Sequence, residues 1–241
     1  MSEFYKVIRK VPKLPRFYYT HYQRKALQFF ENHCIIDIET TGLNEYRDII
    51  ICFGLLDLAK SIATIWFLEN PRKHEKFRKY CRSLVISLMQ QGKKVWAYNS
   101  EFEEDFLNVK GINDLLCYYN NGMFAKMGKM SICYEHIVYI LKKSEILPQE
   151  IKEQLEQFLK EFNDNDIISG SDVPELYFYD WLIYGNNEAK TKIINHNYCD
   201  LVKEALILYF VAFSFTEAMR YLLERFDYCP RIMNKIFREL F

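Results

Sequence analysis

The sequence predicts an α/β fold: a mixed sheet, with three antiparallel strands first and parallel strands after, flanked by helices. Three observations carry this. Short β-branched and aromatic runs crowd between Cys34 and Leu68, an amphipathic helical stripe separates them from a further strand, and most of the remaining chain is helical. At 241 residues, 50% hydrophobic and 17% aromatic, the chain suffices for one substantial domain with a full core, or two small ones. Its composition suits packing rather than disorder.

In chain order, residues 1–30 read as an arm. It holds Pro12 and Pro15, has weak periodicity, and sets seven Lys or Arg against the single acid Glu3, with aromatics interleaved in "RFYYTHYQRKALQFF". Cations among aromatics make a contact surface for single strands; the alternative is an arm packed across the domain with its cations in solvent. "CIIDIE", Ile49 to Leu58 and Ile62 to Leu68 lie close enough together for an antiparallel meander. Phe77, Cys81, Leu84, Val85 and Leu88 form a helical stripe ending at Gly92, and Lys94 to Tyr98 is a fourth strand. Ile151, Leu155, Phe158, Leu159 and Phe162 mark another helix, and a long one is expected from Glu188 to Phe213. The tail over 217–241 is amphipathic through Met219, Leu222, Leu223 and Phe226, suited to docking on the core or on a second copy of the chain. No repeat, low-complexity segment or long linker forces a domain boundary.

Lys and Arg number 32, as do Asp and Glu, so no global field points to nucleic acid or membrane. The longest apolar run, Ala205 to Phe215, is too short to span a bilayer and reads as a buried core helix. The first residues contain no apolar h-region. The seven cysteines form no CxxC pair, and His33–Cys34 has no partner spacing for zinc. Most are expected to be small core residues in a reducing cytoplasm, with one or two disulfides left open.

Three stretches carry chemistry. In "CIIDIETTGL", Asp37 and Glu39 are two apart on a strand and so share a face. Adjacent carboxylates on a rigid edge repel unless that edge meets water or a divalent cation. In "AYNSEFEEDFL", a helix starts near Asn99 or Ser100, either a good N-cap. Phe102 and Phe106 share its buried face, and Glu103 falls in the first turn. It lies near Asp37 and Glu39 if the sheet is parallel there; Glu104 and Asp105 fall on other sides. An acidic first turn also simply complements the helix dipole. In "NHNYCDLVKEALIL", His196 and Asp200 are four apart on one helix face among apolar residues. They make either a local hydrogen-bonded pair or part of a metal site. "DNDIISGSDVPE" has the length and ends of a calcium loop, but Ile168 and Ser169 stand where a ligand and a glycine are needed.

The order "DIETTGL", "NSEFEEDFL", "HNYCD" closely resembles the three motifs of the DEDD, or DnaQ-like, 3′–5′ exonuclease superfamily on an RNase H-like fold. The run "VPELYFYDWLIYG" leading into "HNYCD" is similar to the predicted exonucleases of the YprB-like group. The resemblance covers about Cys34 to Phe210, within a domain placed at 31–216. It implies a metal-dependent exonuclease acting on 3′ ends of single-stranded DNA or RNA with two divalent cations, Mg²⁺ or Mn²⁺. It implies no membrane partner and leaves the oligomeric state open, a homodimer included. The metal acids it implies are Asp37, Glu39, Glu103 and Asp200, with Asp37 the most shared. His196, expected near its ordinary pKa of about 6.5, takes the water's proton. Thr40, Thr41 and Gly42 seat the terminal nucleotide, Leu43 wedges against its base, and Asn99 contacts the strand. Two departures stand out: Glu103 replaces the usual Asp, and His196 is four rather than five before Asp200. The competing readings are a catalytically silent nucleic-acid-binding module on the same shell and a structure-selective endonuclease.

Overall fold

The computed structural model describes residues 4–11, 32–115, 149, 153 and 166–213. A six-stranded sheet forms the centre, in the order β1-β4-β3-β2-β5-β6. The strands are β1 (Tyr5–Lys10), β2 (His33–Thr40), β3 (Ile50–Asp57), β4 (Ile62–Phe67), β5 (Lys94–Ala97) and β6 (Asn113–Asp114). β2, β3 and β4 form the expected antiparallel meander. β5 then pairs parallel with β2, and β6 parallel with β5. The mixed α/β sheet flanked by helices is therefore as the sequence predicts.

Two strands are additions. Tyr5–Lys10 pairs antiparallel with β4, Tyr5 opposite Phe67 and Lys10 opposite Ile62. This part of the basic arm packs on the domain as an edge strand. Burial alternates from Lys6 on, but residue type does not: Ile8 is exposed between Lys6 and Lys10, and Arg9 shares the half-buried side with Val7, so the edge strand gives no apolar–polar signal. β6 is too short to show any period. The stripe over 151–162, the tail over 217–241 and the rest of the arm lie outside the described residues.

Helix α1 (His74–Gln90) buries Phe77, Cys81 and Val85, the core of the expected stripe. Gly92 follows at φ 78, a left-handed conformation that favours glycine. Helix α2 is Ser100–Leu107 and α3 is Asn187–Phe213. Before α3, a short turn at Val173–Glu175 runs into a π-helical stretch, Leu176–Ile183. Tyr177 there donates to the Leu68 carbonyl at 2.9 Å.

The sheet separates two packing layers. Cys34, Ile36 and Ile38 of β2 join Phe53, Phe77, Cys81, Val85, Phe106 and Leu107 in one hydrocarbon cluster beneath α1 and α2. The intervening residues of β2 face α3. The edge strand is tied to α3 as well: Arg9 donates to Asn195 Oδ1 at 2.6 Å and lies over the Tyr198 ring. Among the described residues Cys34, Cys52, Cys81 and Cys199 are free and buried, as expected of core thiols.

Candidate metal-centred active site

Strand alternation puts Asp37 and Glu39 on the α3 face of β2. Asp37 stands opposite Gly54 of β3, and Glu39 opposite Cys52. Gly54 matters because a Cβ there would lie 2.2 Å from Asn197 Oδ1 and 2.7 Å from a Leu201 methyl. Through that gap Asn197 reaches β2, donating to Asp37 Oδ2 at 2.6 Å and to the Asp37 carbonyl at 3.2 Å. A register shift follows between Glu39 and Thr40, the kind of irregularity that re-aims side chains beside active sites.

The loop after β2 is internally braced. Thr40 Oγ1 donates to the Gly42 carbonyl at 2.5 Å, and Thr41 and Ile49 exchange two bonds at 3.0 Å. Gly42 is required by the protein itself: a Cβ would come within 2.4 Å of the Asp48 carboxylate, which is fixed by the Asn44 N–H. Leu43 is 86% exposed, and so free to touch another molecule.

Glu103 lies in the first turn of α2, at the ends of the parallel strands β2 and β5, and is only 2% exposed. Its neighbours are engaged elsewhere. Glu104 accepts from the N–H groups of Gly111 and Ile112 at 2.6 and 2.9 Å, and Asp105 pairs with Lys110 at 3.3 Å. Asn99 does occupy the cap position, at φ 60, but its side chain makes no capping bond. Asp114 of β6 instead accepts from the N–H groups of Asn99 and Ser100 at 3.1 and 3.4 Å. The Asn99 side chain is left exposed at the rim.

On α3, His196, Asn197 and Asp200 are buried toward β2. His196 Nδ1 is 2.7 Å from Asp166 Oδ1, and its Nε2 is 3.5 Å from Asp200 Oδ2. Lys203 bonds Asp200 Oδ1 at 2.9 Å and, more closely, Asp166 Oδ2. One turn beyond Asp200 comes Glu204, 1% exposed, with Tyr98 supplying it a backbone N–H bond.

This crowding sets the electrostatics. Burial raises the Asp37 carboxyl well above its usual range, and Glu39, Glu204, Asp200 and Glu103 push the same way. Burial lifts Glu39 to about 8 against the opposing pull of His196. Glu103 and Glu204 are raised first by burial and then by other acids. His196 does not keep its ordinary value. Burial alone would lower it, but the Asp166 bond and the charges of Asp200 and Glu39 raise it to about 9. Asp166 goes down despite its burial, because His196 and Lys203 bond it.

The residues fit divalent cations. Glu39, His196 and Asp200 each offer a ligand atom within 4.8 Å of the others. Glu39 Oε1, Glu103 Oε2 and Glu204 Oε2 are buried with no hydrogen-bond partner among the described residues. A set dominated by carboxylate oxygens selects hard ions such as Mg²⁺ or Mn²⁺. Asp37, Glu39, Glu103, Asp200 and His196 are thus brought into one constellation, while Thr40 to Leu43 and Asn99 lie along its rim. Four participants were not read from the sequence: Asn197 and Lys203, which hold Asp37 and Asp200, and the acids Glu204 and Asp166. Glu204 had a signal, its spacing of four from Asp200; Asp166 had none, lying 30 positions from the histidine it holds.

An open mixed sheet with acids on its first long strand and on the helices around it defines an RNase H-like α/β domain. The chain belongs to the RNase H superfamily: the sequence profile of its RNase_H_2 family matches residues 34–211. No curated protein and no solved structure matches the chain. Membership points to nuclease-type chemistry, divalent metals and nucleic-acid binding. No helix among the described residues is long and apolar enough to cross a membrane.

Proposed function

We propose that the protein is a metal-dependent 3′–5′ exonuclease that hydrolyses phosphodiester bonds in single-stranded DNA or RNA. One observation carries this: carboxylates from β2, α2 and α3 converge on one site, with buried oxygens that have no hydrogen-bond partner among the described residues. Asp37, Glu39, Glu103 and Asp200 would hold two Mg²⁺ or Mn²⁺ ions. Those ions would supply Lewis-acid stabilisation of the charge that develops on the phosphoryl oxygens and on the leaving 3′ oxygen.

The chain's own groups do the rest. Asn197 fixes the Asp37 carboxylate against the strand. Asp166 accepts from His196 Nδ1–H, which fixes the ring; divalent cations on Asp200 and Glu39 would offset the charges that raise the imidazole to about 9, leaving Nε2 to take a proton from the attacking water. The braced backbone at Thr40, Thr41 and Gly42 seats the terminal nucleotide, and Leu43 and Asn99 contact the strand from the rim.

A second reading, a nucleic-acid-binding module without hydrolysis, is favoured by the Lys203 ammonium on Asp200, which would stand in for a metal ion there. Digestion of 5′-labelled single-stranded DNA and RNA with Mn²⁺ separates the two. A ladder shortening from the 3′ end with wild type, and lost with Asp37→Ala by on the order of 10³-fold, is the expected outcome. Oligonucleotide binding without cleavage by either protein establishes the module instead.

A further inference from the structure

We propose that Glu204 is a further ligand of the metal centre, paired with Glu103, so that the centre takes a second divalent cation between α3 and the first turn of α2. This rests on the reading of the site as a divalent-cation centre.

Glu204 follows Asp200 by four positions, so the two share a face of α3 one turn apart. The Tyr98 N–H that bonds its carboxylate belongs to the residue joining β5 to α2. The bond therefore brings Glu204 to the root of the helix that carries Glu103. The two residues are 1% and 2% exposed, and each has one oxygen, Oε2, without a partner among the described residues. The described cations of the site are committed elsewhere: Lys203 to Asp166 and Asp200, His196 to the same pair. Two neighbouring buried carboxylates are costly to ionise without a cation, and a hard divalent ion with oxygen ligands removes that cost.

The longer side chain at position 103 is met by an acid approaching from α3.

The test uses the full chain titrated with MnCl₂. Free Mn²⁺ is followed by electron paramagnetic resonance and melting temperature is recorded alongside. Wild type is expected to bind two Mn²⁺. Glu204→Gln, which keeps an acceptor for Tyr98, should weaken the second equivalent by about tenfold or more. It should also melt higher than wild type without metal, because a buried repulsion is gone, and gain less from Mn²⁺. Glu103→Gln should reproduce this, and carries the test if Glu204→Gln does not fold. The double variant should be no worse than either single one.

Wild-type Mn²⁺ binding by both single variants overturns the inference. So does a Glu204→Gln protein that melts lower in the absence of metal yet keeps the full Mn²⁺ shift, the mark of a purely structural role. Wild type that binds two Mn²⁺ with the expected loss in Glu204→Gln, but cuts no nucleic acid, upholds the ligand and defeats the exonuclease reading.

Discussion

Alternate residues of one strand build two unlike layers. Ile36 and Ile38 of β2 enter a hydrocarbon cluster with Phe77, Cys81 and Val85. Asp37 and Glu39 of the same strand meet Asn197 and the charged face of α3. The first layer lowers free energy on folding by removing apolar surface from water. The second raises it, gathering like charges where solvation is poor. Stability and chemistry are therefore divided by the sheet rather than spread through the domain.

Substitutions on the two sides should separate these contributions. The largest effect expected on stability lies beneath α1. Phe77→Ala removes a fully buried ring and should cost about 3–5 kcal/mol in denaturant unfolding, with activity per folded molecule retained. A comparable loss of activity at unchanged stability would mean that the hydrocarbon layer also shapes the site.

Gly54→Ala tests the other side. The new methyl would meet Asn197 and Leu201, so a loss of about 1–3 kcal/mol is expected. Hydrolysis should fall with it, because Asn197 can no longer hold Asp37. Full activity would show that Asp37 needs no such hold.

A pH effect should arise from His33, away from the site. Its imidazole is buried, accepts from Trp96 Nε1 at 3.1 Å, and is pushed by burial, aided by Lys94, from 6.5 to about 3. Its folded pKa is depressed, so the neutral form is favoured in the native state. Its contribution is present above 6.5 and lost as pH falls toward 3, with a slope of at most about 1.4 kcal/mol per pH unit. Melting temperature followed across that window should fall less in His33→Gln. An unchanged slope would place the acid sensitivity elsewhere. The smallest effect is expected at the α2 cap: Asp114→Ala should cost about 1 kcal/mol by thermal melting, with a modest loss of activity through Glu103.

Much of this arrangement was legible in the residues. The meander, α1, β5 and α3 announce themselves because each has one apolar face, and that face recurs at the period of its element. The acids were legible for the same reason, since spacing on a strand or helix decides which side chains share a side. What escaped detection is non-local or unpatterned. Tyr5–Lys10 is an edge strand with Arg9 on its half-buried face and Ile8 on its exposed one, and β6 is two residues long. Asp114 supplies the cap that Asn99 and Ser100 seemed able to provide. The His196 pKa followed no local rule, because Asp166 is brought to it only by the fold.

The bond between Asn197 and Asp37 joins positions 160 apart. Contacts of that sequence separation form late, because the loop they close is long. The meander from β2 to β4 needs only neighbours and can assemble while α3 is still unmade. A chain emerging from synthesis therefore carries Asp37, Glu39 and Glu103 for some time before it owns His196 or Asp200. The site can close only after α3 has been made, and a product that ends before residue 196 lacks the groups α3 brings to it.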